Sequence, residues 1–298
     1  MGTYQGARYL PLQLDSIARQ TGVDWSLWVS DDGSTDATRQ VVADFARDQP
    51  GGRVHLLDGP RRGFAANFLS LLCNPAIQAD AWALADQDDV WHTGKLARAG
   101  GWLAGLGPDR PGLYTARTRL VDARGQAIGL SPPAPRTPGF AHALVQNIAS
   151  GNTMMINAAA RALLCAAPGP AVPLHDWWCY QLISGAGGAV CFDPQPCLDY
   201  RQHDANQIGQ GRGWQYQLQR IQRLWAGGHQ RQLDAHLQAL AARRASLTPD
   251  HACQLDAVLA ARRRHGLGRA AGYWRARVRR RTRLSQLALY LAALLDRA

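Results

Sequence analysis

Two acidic clusters, each directly after a stretch that reads as a buried strand, constrain this chain more than any other feature. Asp31-Asp32 follows residues 23–30, where Trp25, Leu27, Trp28 and Val29 supply the apolar run. Asp86-Gln87-Asp88-Asp89 follows residues 82–85, and the two clusters begin 55 residues apart, a separation that fits two strand–helix units. The surrounding segments alternate in period. Leu10, Leu14 and Ile17 fall on one helical face within 8–20, and Val41, Val42 and Phe45 mark a helix with Asp36 in its first turn. Residues 53–57 read as a short strand, and Phe64, Phe68, Leu71 and Leu72 mark a helix over 63–73. That order predicts an α/β fold with a mostly parallel sheet and right-handed crossovers. In such a sheet both acidic clusters lie at the carboxyl edge, where ligands bind.

Carboxylates gathered at one edge repel one another and need a cation or hydrogen-bond donors. Mg²⁺ or Mn²⁺, held by one or two carboxylates and completed by substrate phosphates, satisfies that need. A single Asp after a strand serves equally well as a helix cap or turn residue. Two clusters in register favour a divalent-metal and phosphate site.

Composition sets the limits of the rest. The chain has 298 residues, 46% hydrophobic and 18% charged, which suits a globular protein with a sizeable core. Of the net charge of +11, all but +1 lies in residues 261–298, where eleven Arg face one acid, Asp296. A nearly neutral body over 1–212 is thus followed by a helical, basic region over 213–298. Helical spacing predicts helices at 214–225, 229–246, 249–264 and 270–296. Between body and tail, 113–121 and 126–130 flank Ala123-Arg124-Gly125 as a hairpin, Pro132-Pro133-Ala134-Pro135 is a loop, and 153–156 and 189–192 are short strands.

In the tail, Trp274, Val278, Leu284, Leu287, Leu291 and Leu294 recur at helical spacing among Arg275, Arg277, Arg279, Arg280, Arg281 and Arg283. A basic helix of this kind suits contact with anionic lipid, or packs its Leu face on the body. No nucleic-acid-binding motif accompanies the charge, so nucleic acid is not expected as a partner. The six cysteines form no C-x-x-C pair and are expected to be reduced, mostly buried thiols. No charged-then-apolar leader opens the chain, Gly6 breaks a myristoylation signal, and no apolar run reaches the ~18 residues of a bilayer span. The expected location is cytoplasmic, with peripheral contact at the inner face of the cell membrane.

Asp31-Asp32-Gly33-Ser34-Thr35-Asp36 resembles the DDGSTD signature of family 2 glycosyltransferases, which have the GT-A fold. Thr3-Tyr4-Gln5-Gly6 resembles that family's T-Y-N-G loop, with Gln replacing Asn, and Gly63 with Asn67-Phe68 resembles its G-x-x-x-N-F segment. Asp86-Gln87-Asp88-Asp89-Val90-Trp91 is similar to its D-x-D segment, in the form seen in rhamnosyltransferase-like members. The segments 151–157, His175-Asp176-Trp177-Trp178 and Tyr200-Arg201-Gln202-His203 fit the same subgroup, so the resemblance runs from residue 3 to about 208.

The resemblance implies an inverting glycosyltransferase. It would move a sugar, rhamnose from dTDP-rhamnose being one candidate, from a dTDP- or UDP-linked donor to a hydroxyl of a bacterial surface glycan or its lipid-linked precursor. Thr3, Tyr4, Asp31 and Asp32 would line the nucleotide pocket. Asp88, supported by Asp86, would meet the metal and diphosphate, with His203, Arg61 and Arg62 as further diphosphate or metal contacts. Asp176 would be the general base, or else a helix-capping residue. Trp177 and Trp178 would stack on a sugar or fill the core. The family's first strand lies inside its sheet; here 2–6 reads as loop, so that strand is expected to be missing. Two other readings stay open. A sugar-nucleotide nucleotidyltransferase would want a Gly- and Arg/Lys-rich phosphate loop near residue 1, which is not found, and a binding module without catalysis would keep the fold alone.

Overall fold

A computed structural model describes residues 1–135, 137–167, 171–202 and 228–297. Its first half is a strand–helix alternation: β1 Gly2–Thr3, α1 Leu10–Ala18, β2 Leu27–Asp31, α2 Thr38–Arg47, β3 Val54–Asp58, α3 Phe64–Leu72 and β4 Ala81–Ala83. β1, β2 and β3 form a three-stranded parallel sheet with β2 at its centre. Leu27 and Val29 of β2 are buried, and α1 covers them with Leu10, Leu14 and Ile17. Asp31 is the last residue of β2, as the apolar run before it predicts.

The stretch expected to be a loop in place of a missing strand is in fact β1. Gly2 and Thr3 pair in parallel with Ser30 and Asp31. Its edges are closed by Ser30 N–H donating to Met1 O (2.9 Å) and Asp32 N–H donating to Thr3 O (2.9 Å). Two residues carry too little periodicity to read as a strand, and only pairing with β2 identifies them.

Past Asp86 the chain forms β5 Val90–Trp91, α4 Lys95–Ala104, β6 Gly112–Val121, β7 Ala127–Leu130, α5 Phe140–Ala143, β8 Met155–Asn157, α6 Ala158–Cys165, α7 His175–Gly185 and β9 Ala189–Arg201. These strands build a second, mixed sheet in the order β4-β8-β6-β9-β5, with β7 paired antiparallel to β6 as the hairpin pattern predicts. α7 is buried on nearly every side, Trp177 and Trp178 being 2% and 1% exposed, so both tryptophans fill the core.

Four helices end the described chain: α8 Gly228–Ala242, α9 Pro249–Arg262, α10 Gly266–Arg275 and α11 Arg283–Leu294. The helix expected at 214–225 lies outside the described residues. The single helix expected over 270–296 is two, broken at 276–282. There Arg277 takes a left-handed φ of 53°, and Arg279 and Arg281 N–H donate to Ala141 O and Gln146 Oε1 instead of continuing a helix. Thr282 then restarts the chain with a capping box to Ser285. Tyr273, Val278, Leu289 and Ala293 join Trp177, Trp178 and Leu182 in one apolar cluster. The stripe Leu284, Leu287 and Leu291 faces outward instead, at 80%, 55% and 51% exposure.

Two cysteines depart from the expected thiols. Cys73, after α3, and Cys165, ending α6, form a disulfide with Cα atoms 5.4 Å apart. Sequence spacing of 92 residues gave no hint of that proximity. By loop-closure entropy a bridge of this span contributes about 4–5 kcal/mol. Denatured, unreduced protein is therefore expected to label Cys179, Cys191, Cys197 and Cys253 only, with Cys73 and Cys165 joining after reduction. Six labels before reductant would contradict the bridge.

Candidate active site

The three motif loops meet at the carboxyl ends of β1, β2 and β4, stitched by short hydrogen bonds. Asp31, 2% exposed, accepts from Thr3 Oγ1 (2.9 Å), Ser34 N–H (2.9 Å) and Ser34 Oγ (2.6 Å). Burial alone would raise its carboxyl, but the Ser34 and Thr3 bonds, with Arg39 nearby, outweigh it and hold Asp31 below the usual carboxylate range. Gln5 and Gly6 N–H donate to Ser34 Oγ (2.9 Å) and Thr38 Oγ1 (2.8 Å), while Asp36 accepts from Ala7 N–H (3.1 Å). Gly33 makes the turn of this loop at φ 99°, a region open to glycine.

Asp32 holds the next loop, accepting from Arg61 N–H (2.6 Å) and Gly63 N–H (2.9 Å). Arg62 sits exposed in that same turn, and Tyr4 is 56% exposed. Thr3, Tyr4, Asp31, Asp32 and Arg62 are thus brought to one edge of the sheet, although Thr3 and Asp31 spend their polar atoms on each other and on Ser34.

Gln87 ties the second cluster to the first. Its Oε1 accepts from Tyr4 N–H and its Nε2 donates to Tyr4 O, both at 2.9 Å. Gly6 makes room for this clamp: a Cβ there would lie 2.3 Å from Gln87 Oε1. Gly6→Ala is expected to expel the Gln87 amide and cost about 1–3 kcal/mol of stability through two lost bonds. Gln87→Ala should cost less, because it leaves no clash. Equal thermal shifts for both variants, read by calorimetry, would argue against the clamp.

Asp86, Asp88 and Asp89 gather behind Gln87. Burial, then the charges of Asp88 and Asp176, push the Asp86 carboxyl up to about 7. Asp89 is fully buried and likewise raised; its Oδ2 accepts from Asn152 Nδ2 (2.8 Å) while Oδ1 has no partner among the described residues. Lys95, 3% exposed, donates from Nζ to Asn152 O (2.6 Å) and lies 3.3 Å over the Trp91 ring. Burial pulls its ammonium down to about 8 against the attraction of Asp89 and Asp86. Lys95 carried no signal in sequence, since a lysine opening a helix reads as surface, whereas Asn152 lies in the 151–157 segment that resembles the subgroup.

Asp176 lies in the first turn of α7, close enough to Asp86 for its charge to reach that carboxyl. Its Oδ1 accepts from Trp177 N–H (2.6 Å), and Gly151 N–H and the Asn147 side chain bond it as well. Burial outweighs those bonds and raises its carboxyl to about 6. Next to it, the buried His175 ring stacks on Phe68 at 4.2 Å.

Among the described residues, no three His, Cys, Asp or Glu are arranged to hold a metal ion. His203 lies outside the described residues. The acids still suit a hard divalent cation: Asp86 is pushed toward protonation by like charges that a cation would offset, and one or two carboxylates suffice when phosphates complete the shell. No helix of the described residues is long and apolar enough to cross a membrane.

Residues 1–107 match the family model "Glycosyl transferase family 2". A dTDP-rhamnosyl transferase, RfbG, of Shigella flexneri is 26% identical over 224 residues, covering 70% of this chain and 73% of that protein. Among solved structures, the mannosyltransferase PcManGT of Pyrobaculum calidifontis, in complex with GDP-Man and Mn²⁺, superposes with a TM-score of 0.54 at 20% identity, covering 99% of this chain and 82% of that one. TarS 1-349 of S. aureus, in complex with UDP, gives 0.53 at 16%, covering 99% and 78%. Joined with the convergence of the three motif loops, which Gln87 ties together across two sheets, these matches make the chain a glycosyltransferase of the GT-A fold, with residues 1–107 matching the family 2 domain.

Proposed function

We propose that the chain transfers a sugar, with inversion at the anomeric carbon, from a nucleoside-diphosphate donor to a hydroxyl of a bacterial surface glycan or its lipid-linked precursor. The observation that carries this reading is the nearness of Asp176 to Asp86, close enough for its charge to help raise the Asp86 carboxyl. Thr3, Tyr4, Asp31, Asp32 and Arg62 shape the donor's nucleotide and diphosphate pocket. A divalent metal held by Asp88, with Asp86 in support, would neutralise charge on the leaving diphosphate. Asp176 takes the proton from the acceptor hydroxyl as that oxygen attacks the anomeric carbon from the far side. A carboxyl at about 6 is ionised at neutral pH yet basic enough for that task.

The RfbG likeness supports dTDP-rhamnose as the donor to try first. In a thermal-stabilisation panel with Mn²⁺, dTDP-rhamnose is expected to shift melting more than UDP- or GDP-sugars do, and transfer from it should invert the anomeric configuration. A retained configuration would refute the mechanism. The outward stripe of Leu284, Leu287 and Leu291 beside the arginines of 275–283 supports peripheral contact with an anionic bilayer. Sedimentation with anionic vesicles, lost above 0.1 M salt as screening shortens to less than ~10 Å, tests that contact.

A further inference from the structure

One short element joins the proposed base to the acidic cluster. Residues Gly151–Thr153 form a 3-10 turn, buried at all three positions. Gly151 N–H donates to Asp176. From the next residue, Asn152 Nδ2 donates to Asp89 Oδ2 (2.8 Å), its Oδ1 accepts from Ser150 Oγ (2.7 Å) and its main-chain O accepts from Lys95 Nζ (2.6 Å). Consecutive residues of one turn thus hold the base on one side and a fully buried acid of the second cluster on the other. The turn has little room to shift. Met154 O accepts from Leu84 N–H (3.1 Å), two residues before Asp86, and Thr153 Oγ1 pairs with Thr115 Oγ1 (2.7 Å). A Cβ at Gly151 would lie 2.7 Å from His175 Nε2, so the backbone there already touches the residue before the base.

Lys95 closes this unit. It is the first residue of α4, a position where a lysine would ordinarily extend into water, yet it is 3% exposed. Desolvating an ammonium is costly, and here the Trp91 ring at 3.3 Å, the Asn152 carbonyl and the charges of Asp89 and Asp86 offset that cost. One cation therefore fastens the carbonyl of the turn and eases the repulsion among the acids beside it. We infer that Lys95 and Asn152 are positioning residues for sugar transfer: by fastening the Gly151–Thr153 turn to Asp89, they set where Asp176 stands relative to the acids on the metal side. This rests on the glycosyl-transfer reading above and adds two residues that act through Asp176 rather than on the substrate.

The test uses the full chain with Mn²⁺ and dTDP-rhamnose, water serving as the acceptor. Lys95→Met removes the ammonium and keeps the length of the side chain. Its kcat is expected to fall about 10- to 100-fold, the scale of an ångström of misplacement, while KM and the calorimetric affinity for dTDP stay within about threefold. Asn152→Asp sets carboxylate against carboxylate at the Asp89 bond and should lose at least as much. The exchanged pair Asp89→Asn/Asn152→Asp again faces a donor with an acceptor at unchanged net charge, and should return kcat to within about fivefold of the parent. A Lys95→Met chain that melts lower but keeps its kcat overturns the inference, since the lysine would then serve stability alone. So does a loss that falls on dTDP affinity with kcat unchanged, or an exchanged pair further than about fivefold below the parent. Amide hydrogen exchange over residues 150–153 reads the same coupling without turnover: it should quicken in Lys95→Met and stay slow in the exchanged pair. If the parent hydrolyses no dTDP-, UDP- or GDP-sugar, the glycosyl-transfer reading fails, and the exchange rates alone decide the positioning. Unchanged protection of these residues in Lys95→Met overturns it.

Discussion

Asp176→Asn is expected to lower sugar transfer by about 10²- to 10⁴-fold while donor affinity stays within about threefold of the parent. The asparagine keeps the size of the side chain and can still accept from Trp177 N–H, so α7 should start as before. What it loses is the capacity to hold the acceptor's proton. The pH dependence separates the chemical role from a capping role. Burial raises the Asp176 carboxyl to about 6, so the base is ionised above that pH and protonated below it. The parent's kcat/KM should therefore fall as pH drops through about 6, one decade per unit, and this acid limb should vanish from the residual activity of the variant. A capping aspartate would give neither effect: turnover within about threefold of the parent, with the acid limb unchanged, would assign Asp176 to the helix terminus alone.

The second large effect belongs to the other side of the site. Asp88→Asn is expected to weaken Mn²⁺-dependent binding of the donor by about a hundredfold or more, the equivalent of the several kcal/mol a bound metal contributes. The fold should survive, because Asp88 is only half-buried whereas Asp89, fully buried on Asn152, carries the local structure. Donor binding without metal should change little or improve slightly, since one of the negative charges facing the diphosphate is gone. Calorimetric titration of the nucleotide sugar with and without Mn²⁺ decides the matter. A variant that binds donor as tightly as the parent when Mn²⁺ is present would remove Asp88 from the metal site.

Both predictions concern residues that could be singled out from their neighbours in the chain. Asp31-Asp32 and Asp86-Gln87-Asp88-Asp89 announced themselves because an apolar run ending in acid is the local mark of a strand's carboxyl end. The helix and strand alternation of the first half was legible for the same reason, as period and turn chemistry are properties of short segments. The basic tail and its apolar stripe were equally plain as composition and spacing.

What only the tertiary structure decided depends on contacts between distant segments. β1 exists because Gly2 and Thr3 have β2 to pair with, and the stripe Leu284, Leu287 and Leu291 faces outward because Leu289 and Ala293 take the core side of α11. The Gln87 clamp joins positions 83 residues apart, and the Cys73–Cys165 bridge joins positions 92 apart. Lys95 belongs to the acidic cluster through burial, which no local pattern reveals. The arginines of 275–283 looked like the solvated side of one long helix, and became the wall of a cleft only where Ala141 and Gln146 drew the backbone out of helical hydrogen bonding. Periodicity records which way a segment faces while it remains regular. Where the chain breaks, and which groups then share a desolvated space, is set by partners that sequence spacing does not carry.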